Sequence, residues 1–332
     1  MARMKAVVVT GPGGPDVLEL RDVPRPVPGP EELLVRVQAS GVNRADLLQR
    51  TGRYPAPPGW PADIPGLEFA GAVEDAGPAC RSFAAGDRVM GIVGGGGYAE
   101  YLTLHERCAV RVPEGLAPEP AGAVPEVFMT AYDAVSLQMG LTAGETLLVH
   151  AVGSGVGTAA IQLARAAGAR VIGTSRTPEK LERAAVLGLD VGVLVEDGWP
   201  ERVRDATGGR GVDVILDLVG APHFAGNMEA LAVTGRWIVV GVTGGSTAEV
   251  DLRRVMGKRA SLTGTVLRAR PLEDRIVLAR AFEDRIVPLF ERGILEPVVD
   301  RVYAPGHAAE AHRRMEENLN FGKLVLAWGD GG

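Results

Sequence analysis

Residues 146–180 read TLLVHAVGSGVGTAAIQLARAAGARVIGTSRTPEK. The apolar run over residues 147–151 has the length of a buried strand. Gly153, Ser154, Gly155, Val156 and Gly157 then form a glycine-rich turn. Ala159, Ala160, Leu163 and Ala167 follow at helical spacing, and Gly168 stops the helix. A second apolar strand, residues 171–174, ends at Ser175. Strand, glycine turn, helix and strand in this order predict a βαβ unit. In such a unit backbone N–H groups and a helix N-terminus meet a pyrophosphate. A glycine turn alone also suits an ordinary tight bend; the flanking strands and helix favour the dinucleotide reading.

The end of the second strand selects the cofactor. An Asp or Glu there would hold the ribose 2′-hydroxyl of NAD. Ser175 and Arg176 stand there instead, with Lys180 one turn into the next helix. A hydroxyl and two cations attract a 2′-phosphate that a carboxylate would repel. NADPH is therefore the expected cofactor, although Arg176 and Lys180 also suit a solvated helix start.

Working outward, the βα alternation continues. Strands are predicted over residues 191–195, 212–218, 237–242 and 261–266, with helices over 199–207 and 224–231. Together these make a six-stranded doubly wound sheet whose strand ends bind ligand. That logic places Gly241, Val242 and Thr243, and also Val266, Leu267 and Arg268, on the cofactor side. Gly241 equally suits a plain strand end. Asp217 ends the fourth strand and reads as a local cap rather than an acid. The last predicted strand is an apolar sheet edge, so a homodimer formed by edge pairing is expected.

Residues 1–125 have a different texture. Short apolar segments at 4–10, 33–39, 69–73, 88–93 and 98–104 are punctuated by Pro and Gly, which predicts a mostly β, barrel-like unit. Residues 267–332 begin with a predicted long helix over 271–292. A strand at 298–302, a helix over 308–317 and a loop into a final strand follow. The expected division is 1–125, 126–266 and a return segment, 267–332.

Composition bounds the function. The chain has 332 residues, is 46% hydrophobic and 23% charged, and carries a formal net charge of −6. These values fit a soluble globular protein with no general nucleic-acid footprint. No apolar run approaches membrane-spanning length, and MARMKAVVVT lacks a signal-peptide layout. Cys80 and Cys108 form no paired motif, so a cytoplasmic setting is expected. The five histidines are scattered without metal-ligand spacing.

Two stretches break the β pattern of residues 1–125: GVNRADL, residues 41–47, and PGLEFAG, residues 65–71. With the glycine turn and the domain order, they resemble the medium-chain dehydrogenase/reductase superfamily. Its zinc enzymes carry a Cys ligand where Asn43 stands and a His ligand where Leu67 stands, and neither residue here replaces those donors. A cysteine-rich lobe for a structural zinc is also missing. The segments VNRADLLQRTGRYPAPPG, VPEVFMTAYDAV and MEENLNFGKLVL further resemble the zinc-free quinone oxidoreductase branch, in particular its tumour-suppressor-inducible group, a relative of zeta-crystallin. The resemblance implies a GroES-like, mostly β catalytic domain completed by the C-terminal return, plus a Rossmann domain.

It also implies roles. Tyr54 matches a tyrosine near the nicotinamide, and Thr130 a position close to the same ring. Asn320 and Lys323 lie on a returning loop expected to face the cofactor, or on a plain turn feeding a strand. Glu68 matches a glutamate beside the pocket and reads as a structural carboxylate paired with a cation. Tyr54 alternatively caps the Pro-rich segment after it, and the Thr130 hydroxyl alternatively bonds back along its helix. The implied activity is reduction of quinones by NADPH, with α,β-unsaturated carbonyls as the alternative substrates, or NADPH binding with little catalysis. Asn43 or Tyr54 would donate to the developing oxyanion, although Asn43 also suits a helix N-cap. No strong general acid is evident, so the proton is expected from solvent.

Overall fold

The computed structural model describes residues 2–329. The chain divides into two units, one running up to Met129 and resuming at Leu267, the other Thr130–Val266. The division falls inside a helical run, Pro125–Ala131 continued by a π-helical stretch, Tyr132–Gln138, and not ahead of it.

The first unit is mostly β. Arg3–Val9 pairs antiparallel with Leu18–Pro24. A seven-stranded sheet runs in the order Val299–Tyr303, Lys323–Ala327, Glu32–Val42, Glu68–Ala76, Arg88–Ile92, Val110–Arg111, with Tyr101–His105 also paired to Glu32–Val42. Alternation in Glu32–Val42 buries Leu33, Val35 and Val37 against Phe69, Val73, Val89 and Leu104. The return strand sets Leu324 opposite Val42. That register delivers Lys323 to the place where the strand ends and the helix Arg44–Arg50 begins.

The predicted long helix over 271–292 is two helices, Leu272–Arg285 and Val287–Glu291, parted at Ile286. Pro288 causes the break, because it has no N–H to donate back and its ring crowds the preceding turn.

The second unit is a six-stranded sheet in which every pairing is parallel: Val191–Leu194, Arg170–Ser175, Thr146–Val149, Val212–Asp217, Leu231–Val239, Ser261–Gly264. Sequence order 3-2-1-4-5-6 across the sheet is the doubly wound arrangement, with its crevice where the order reverses. The fifth strand starts at Leu231, earlier than the predicted 237, and runs through an irregular register near Val212. Thr234, at φ 63°, supplies a bend within the strand. The strand ends at Val239, so residues 240–243 form a loop beyond it, and the sixth strand stops at Gly264.

Candidate active site

In the second unit the glycine turn joins the strand Thr146–Val149 to the helix Gly155–Ala166. Ser154 is the N-cap, its Oγ accepting from the Gly157 N–H at 3.0 Å. The turn is locked from below by close packing. A Cβ on Gly157 would lie 2.6 Å from the Ala151 carbonyl oxygen, and one on Gly173 would lie 2.2 Å from Val152 Cγ1. Gly153 is buried, whereas Ser154, Gly155 and Val156 at the helix start are half-buried. Ser175 is buried at its strand end and its Oγ accepts from the Thr177 N–H. Arg176 beside it is exposed and Lys180 half-buried.

Sequence reasoning missed what holds these strand ends in place. His150, fully buried, bonds Thr174 Oγ1 at 2.8 Å through Nδ1 and Asn227 Oδ1 at 2.6 Å through Nε2. Asn227 then donates to Asp217 Oδ2, which also accepts from Trp237 Nε1. The other Asp217 oxygen takes the N–H groups of Val219 and Gly220, so Asp217 is the local cap the sequence suggests. Burial drives the pKa of His150 down to about 4, and burial with the neighbouring His150 ring does the same to His223. Both rings being neutral, His150 ties three strand ends and a helix together three residues before Gly153.

Past the fifth strand, the Gly241 N–H reaches the Asp217 carbonyl at 3.3 Å and Thr243 Oγ1 donates to the Leu218 carbonyl at 2.9 Å. Val242 and Val266 are exposed. Thr130 is half-buried at the start of this unit.

Leu267 and Arg268 belong to the first unit. Arg268 is not a free cation for cofactor phosphate. Its guanidinium donates to the carbonyls of Gly94, at 2.8 Å, and Tyr54, at 3.1 Å, and to Gln49 Oε1, and it is buried. It also lies over the Tyr54 ring, 5.0 Å from the centroid, and so fixes that loop. Tyr54 is half-buried, and its hydroxyl has no hydrogen-bond partner among the described residues.

Lys323 is a second correction. The expectation of a cofactor contact fails because its ammonium is fully engaged. Nζ donates to the Val42 carbonyl at 2.8 Å, Asn43 Oδ1 at 2.6 Å and Glu68 Oε1 at 2.6 Å, which uses all three of its hydrogens. Lys323 and Glu68 form a buried ion pair with side chains 3% and 0% exposed. Asn43 is drawn into the same cluster. Its amide Nδ2 donates to Glu68 Oε1 at 2.8 Å and the Gly41 carbonyl at 3.3 Å, so both hydrogens are taken and neither is left for an oxyanion. Asn43 does stand at the helix N-cap, where its N–H donates to Asp46 Oδ2 at 2.8 Å. Asn320, also buried, closes its own turn by donating to the Gly322 carbonyl.

Gly41 makes room for this cluster. A Cβ there would lie 2.2 Å from Glu68 Oε1 and 2.7 Å from the Gly122 carbonyl oxygen. Glu126, which sequence reasoning passed over, borders it. Its backbone N–H donates to Glu68 Oε2 at 2.8 Å, while its own half-buried carboxyl has no hydrogen-bond partner among the described residues. Burial first, and the charge of Glu68 second, push its pKa up to about 8. Asp46, fully buried, is raised to about 6 by desolvation against the pull of the Asn43 N–H and the Tyr98 hydroxyl. The only sequence signal for Glu126 was its place after Pro125 in a helix's first turn, where an acidic residue ordinarily complements the helix dipole.

Two family models match the chain: "Alcohol dehydrogenase GroES-like domain" over residues 29–114 and "Zinc-binding dehydrogenase" over residues 155–282. The quinone oxidoreductase of Homo sapiens is 33% identical over 97% of both chains. The chain belongs to the quinone oxidoreductase family of medium-chain dehydrogenases/reductases. Its fold is accordingly a GroES-like domain plus a Rossmann-type parallel sheet, and it is an oxidoreductase. Among solved structures, an NAD-dependent alcohol dehydrogenase superposes with a TM-score of 0.89 at 37% identity, covering 98% of this chain and 100% of that one. A mycobacterial protein solved in complex with NADPH gives a TM-score of 0.87 at 32% identity, with the same coverage. The nucleotide-binding fold of the family, with one relative solved with NADPH, accords with a nicotinamide-dinucleotide cofactor.

Proposed function

We propose that this protein reduces quinones with NADPH, by hydride transfer and without zinc. The observation that carries the cofactor choice is the strand end at Ser175. A hydroxyl and two cations, Arg176 and Lys180, stand at or just after this strand end in the sequence and would attract a 2′-phosphate, and the strand ends without the carboxylate that binds a free 2′-hydroxyl. The half-buried amides at the start of the helix Gly155–Ala166, together with Gly153, suit the pyrophosphate. Gly241, Val242, Thr243 and Val266 are further proposed contacts on the basis of sheet position, and Thr130 on the basis of the family resemblance. The solved NADPH complex of a relative supports this reading, and the NAD-dependent relative supplies its competitor.

Zinc does not fit the first unit's polar cluster. Asn43 and Leu67 offer neither thiolate nor imidazole, and the Lys323 ammonium already sits 2.6 Å from both Asn43 Oδ1 and Glu68 Oε1. A divalent ion there would meet a buried cation of like sign. The bound nicotinamide supplies the hydride. Tyr54, its loop held by Arg268 through the carbonyl and ring, is the residue we assign to donate to the acceptor's oxygen. Planar α,β-unsaturated carbonyls are the second substrate class, because the same hydride and donor suffice for them.

A screen of small quinones and enals that follows NADPH oxidation tests the activity. The double variant R176A/K180A tests the cofactor assignment. Each lost charge-assisted contact is worth about 1.5–3 kcal/mol, so the preference for NADPH over NADH should fall by at least tenfold. NADH preferred by the parent protein overturns the assignment. No helix among the described residues is long and apolar enough to span a membrane. Two free cysteines, Cys80 and Cys108, accord with a reducing cytoplasmic setting. Edge pairing of Ser261–Gly264, whose Leu262 is exposed, would make the homodimer, and a monomer in sedimentation at micromolar concentration refutes it.

A further inference from the structure

We infer that a small cavity against the helix Leu272–Arg285 binds a monatomic, monovalent anion, a halide such as chloride, with Arg275 as its main ligand. Every residue of the lining belongs to the first unit, and the site does not depend on the reaction proposed above. The cavity measures about 20 Å³. Its polar lining is Cys108, Arg270 and Arg275, and Ile92, Leu267 and Leu278 are among the apolar remainder. No side chain of the lining carries an oxygen, so the cavity presents donors and almost nothing that accepts.

Helix periodicity brings Arg275 there. It stands one turn before Leu278 and Ala279, both buried, and shares their inward face. The other arginines around Cys108 have acceptors of their own. Arg107 donates to both carboxylate oxygens of Glu273, each at 3.1 Å, which also occupies that acid. Arg280 gives its two terminal nitrogens to Glu283 and the Ala109 carbonyl. Arg275, half-buried, has no hydrogen bond or ion pair with any described residue. Its Nε is buried without an acceptor, and its guanidinium lies 5.6 Å from the centroid of the Trp60 ring. Cys108 does not serve as the counter-ion. Burial raises its thiol pKa against the pull of Arg275, Arg280 and Arg107, so it stays an S–H group and a weak donor.

Size and hydrogen bonding then select the occupant. One water needs about 10–15 Å³, so this cavity takes a single small species and no polyatomic oxyanion. A water could accept from Arg275, but its own two hydrogens would find only weak sulfur acceptors among the lining side chains. A halide accepts from every direction, brings no hydrogen, and supplies the charge that the buried guanidinium lacks. Bound there, it joins the helix Leu272–Arg285 to the end of the strand Arg88–Ile92 and to the turn Glu106–Cys108. It is therefore a stabilising ligand of the folded first unit, acting by mass action.

The test uses the full chain in sodium chloride, with sodium gluconate, whose anion is too large for the cavity, keeping the ionic strength constant. The thermal midpoint of the parent should rise with chloride. Above the dissociation constant, each tenfold of chloride should multiply the folded-to-unfolded ratio about tenfold. R275M should lose that dependence, whereas R107M, whose arginine is tied to Glu273, should keep it. A second measurement needs no variant: in crystals of the parent grown with sodium bromide, an anomalous peak should fall in the cavity within hydrogen-bonding reach of Arg275. A cavity that holds only water in bromide overturns the site, and so does a chloride response that is equal in the parent and R275M.

Discussion

Replacing Lys323 by Met tests whether the polar heart of the first unit is an ion pair that must be complete. The Lys323 and Glu68 side chains are 3% and 0% exposed, so neither charge has water to fall back on. Without the ammonium, Glu68 keeps two neutral donors, Asn43 Nδ2 and the Glu126 N–H, and loses its counter-ion. Breaking a buried pair by removing one partner costs about 3–5 kcal/mol. The assay is hydrogen exchange in the return strand Lys323–Ala327, where that loss appears as exchange faster by about two to four orders of magnitude. The double variant K323M/E68Q removes the stranded charge, and its remaining cost should be the lost hydrogen bonds, about 1–2 kcal/mol. A pH series adds a signed check. The deficit of K323M relative to the parent should shrink in acid, where carboxyl groups are neutral, and be largest at neutral pH. A loss of protection under tenfold, or a double variant no better than K323M, would refute the argument.

Three further outcomes follow from the second unit. Gly157→Ala pushes a methyl to 2.6 Å from the Ala151 carbonyl, so the turn must move, and NADPH affinity measured by calorimetry should drop by tenfold or more, for a strain of about 1–3 kcal/mol. His150 and His223 have pKa values lowered from 6.5 to about 4, so the unfolded chain takes protons first; their contribution is complete above pH 6.5 and lost as pH falls towards 4. Trp199, with its ring 5.3 Å from each imidazole, should report that acid transition by fluorescence, and an emission unchanged between pH 7 and 4 speaks against it. His150→Leu leaves Thr174 and Asn227 without their shared partner and should weaken NADPH binding without contacting the cofactor, an effect absent if the imidazole is only filler.

The doubly wound sheet was legible because its information is local. Apolar runs of strand length, a glycine turn and helical spacing each lie within a few residues, and the order 3-2-1-4-5-6 follows from their succession. What local pattern hid was the long helix's break at Ile286 and the early start of the fifth strand. In the first, Pro288 acts on the turn before it. In the second, Thr234 and Gly235 look like breakers but form a bend that the neighbouring strand accommodates.

The site divides along the same line. Ser154 and Gly157 act where the turn itself puts them. The sequence put Lys323 on a loop facing the cofactor and Arg268 on the ligand side of the sheet, but their hydrogen-bond partners are carbonyls and side chains of the protein. Lys323 meets Asn43 across 280 residues, and Arg268 meets Tyr54 across 214. No window of sequence contains such a pair, so a charge near a glycine turn or a strand end remains ambiguous until the register places it. The sheet pairing of Leu324 with Val42 is what turns Lys323 inward, onto Asn43 and Glu68. With Lys323 committed to Glu68, Glu126 is the carboxyl of the cluster without such a partner: Glu68 takes its backbone N–H, and burial and the charge of Glu68 push its pKa up to about 8.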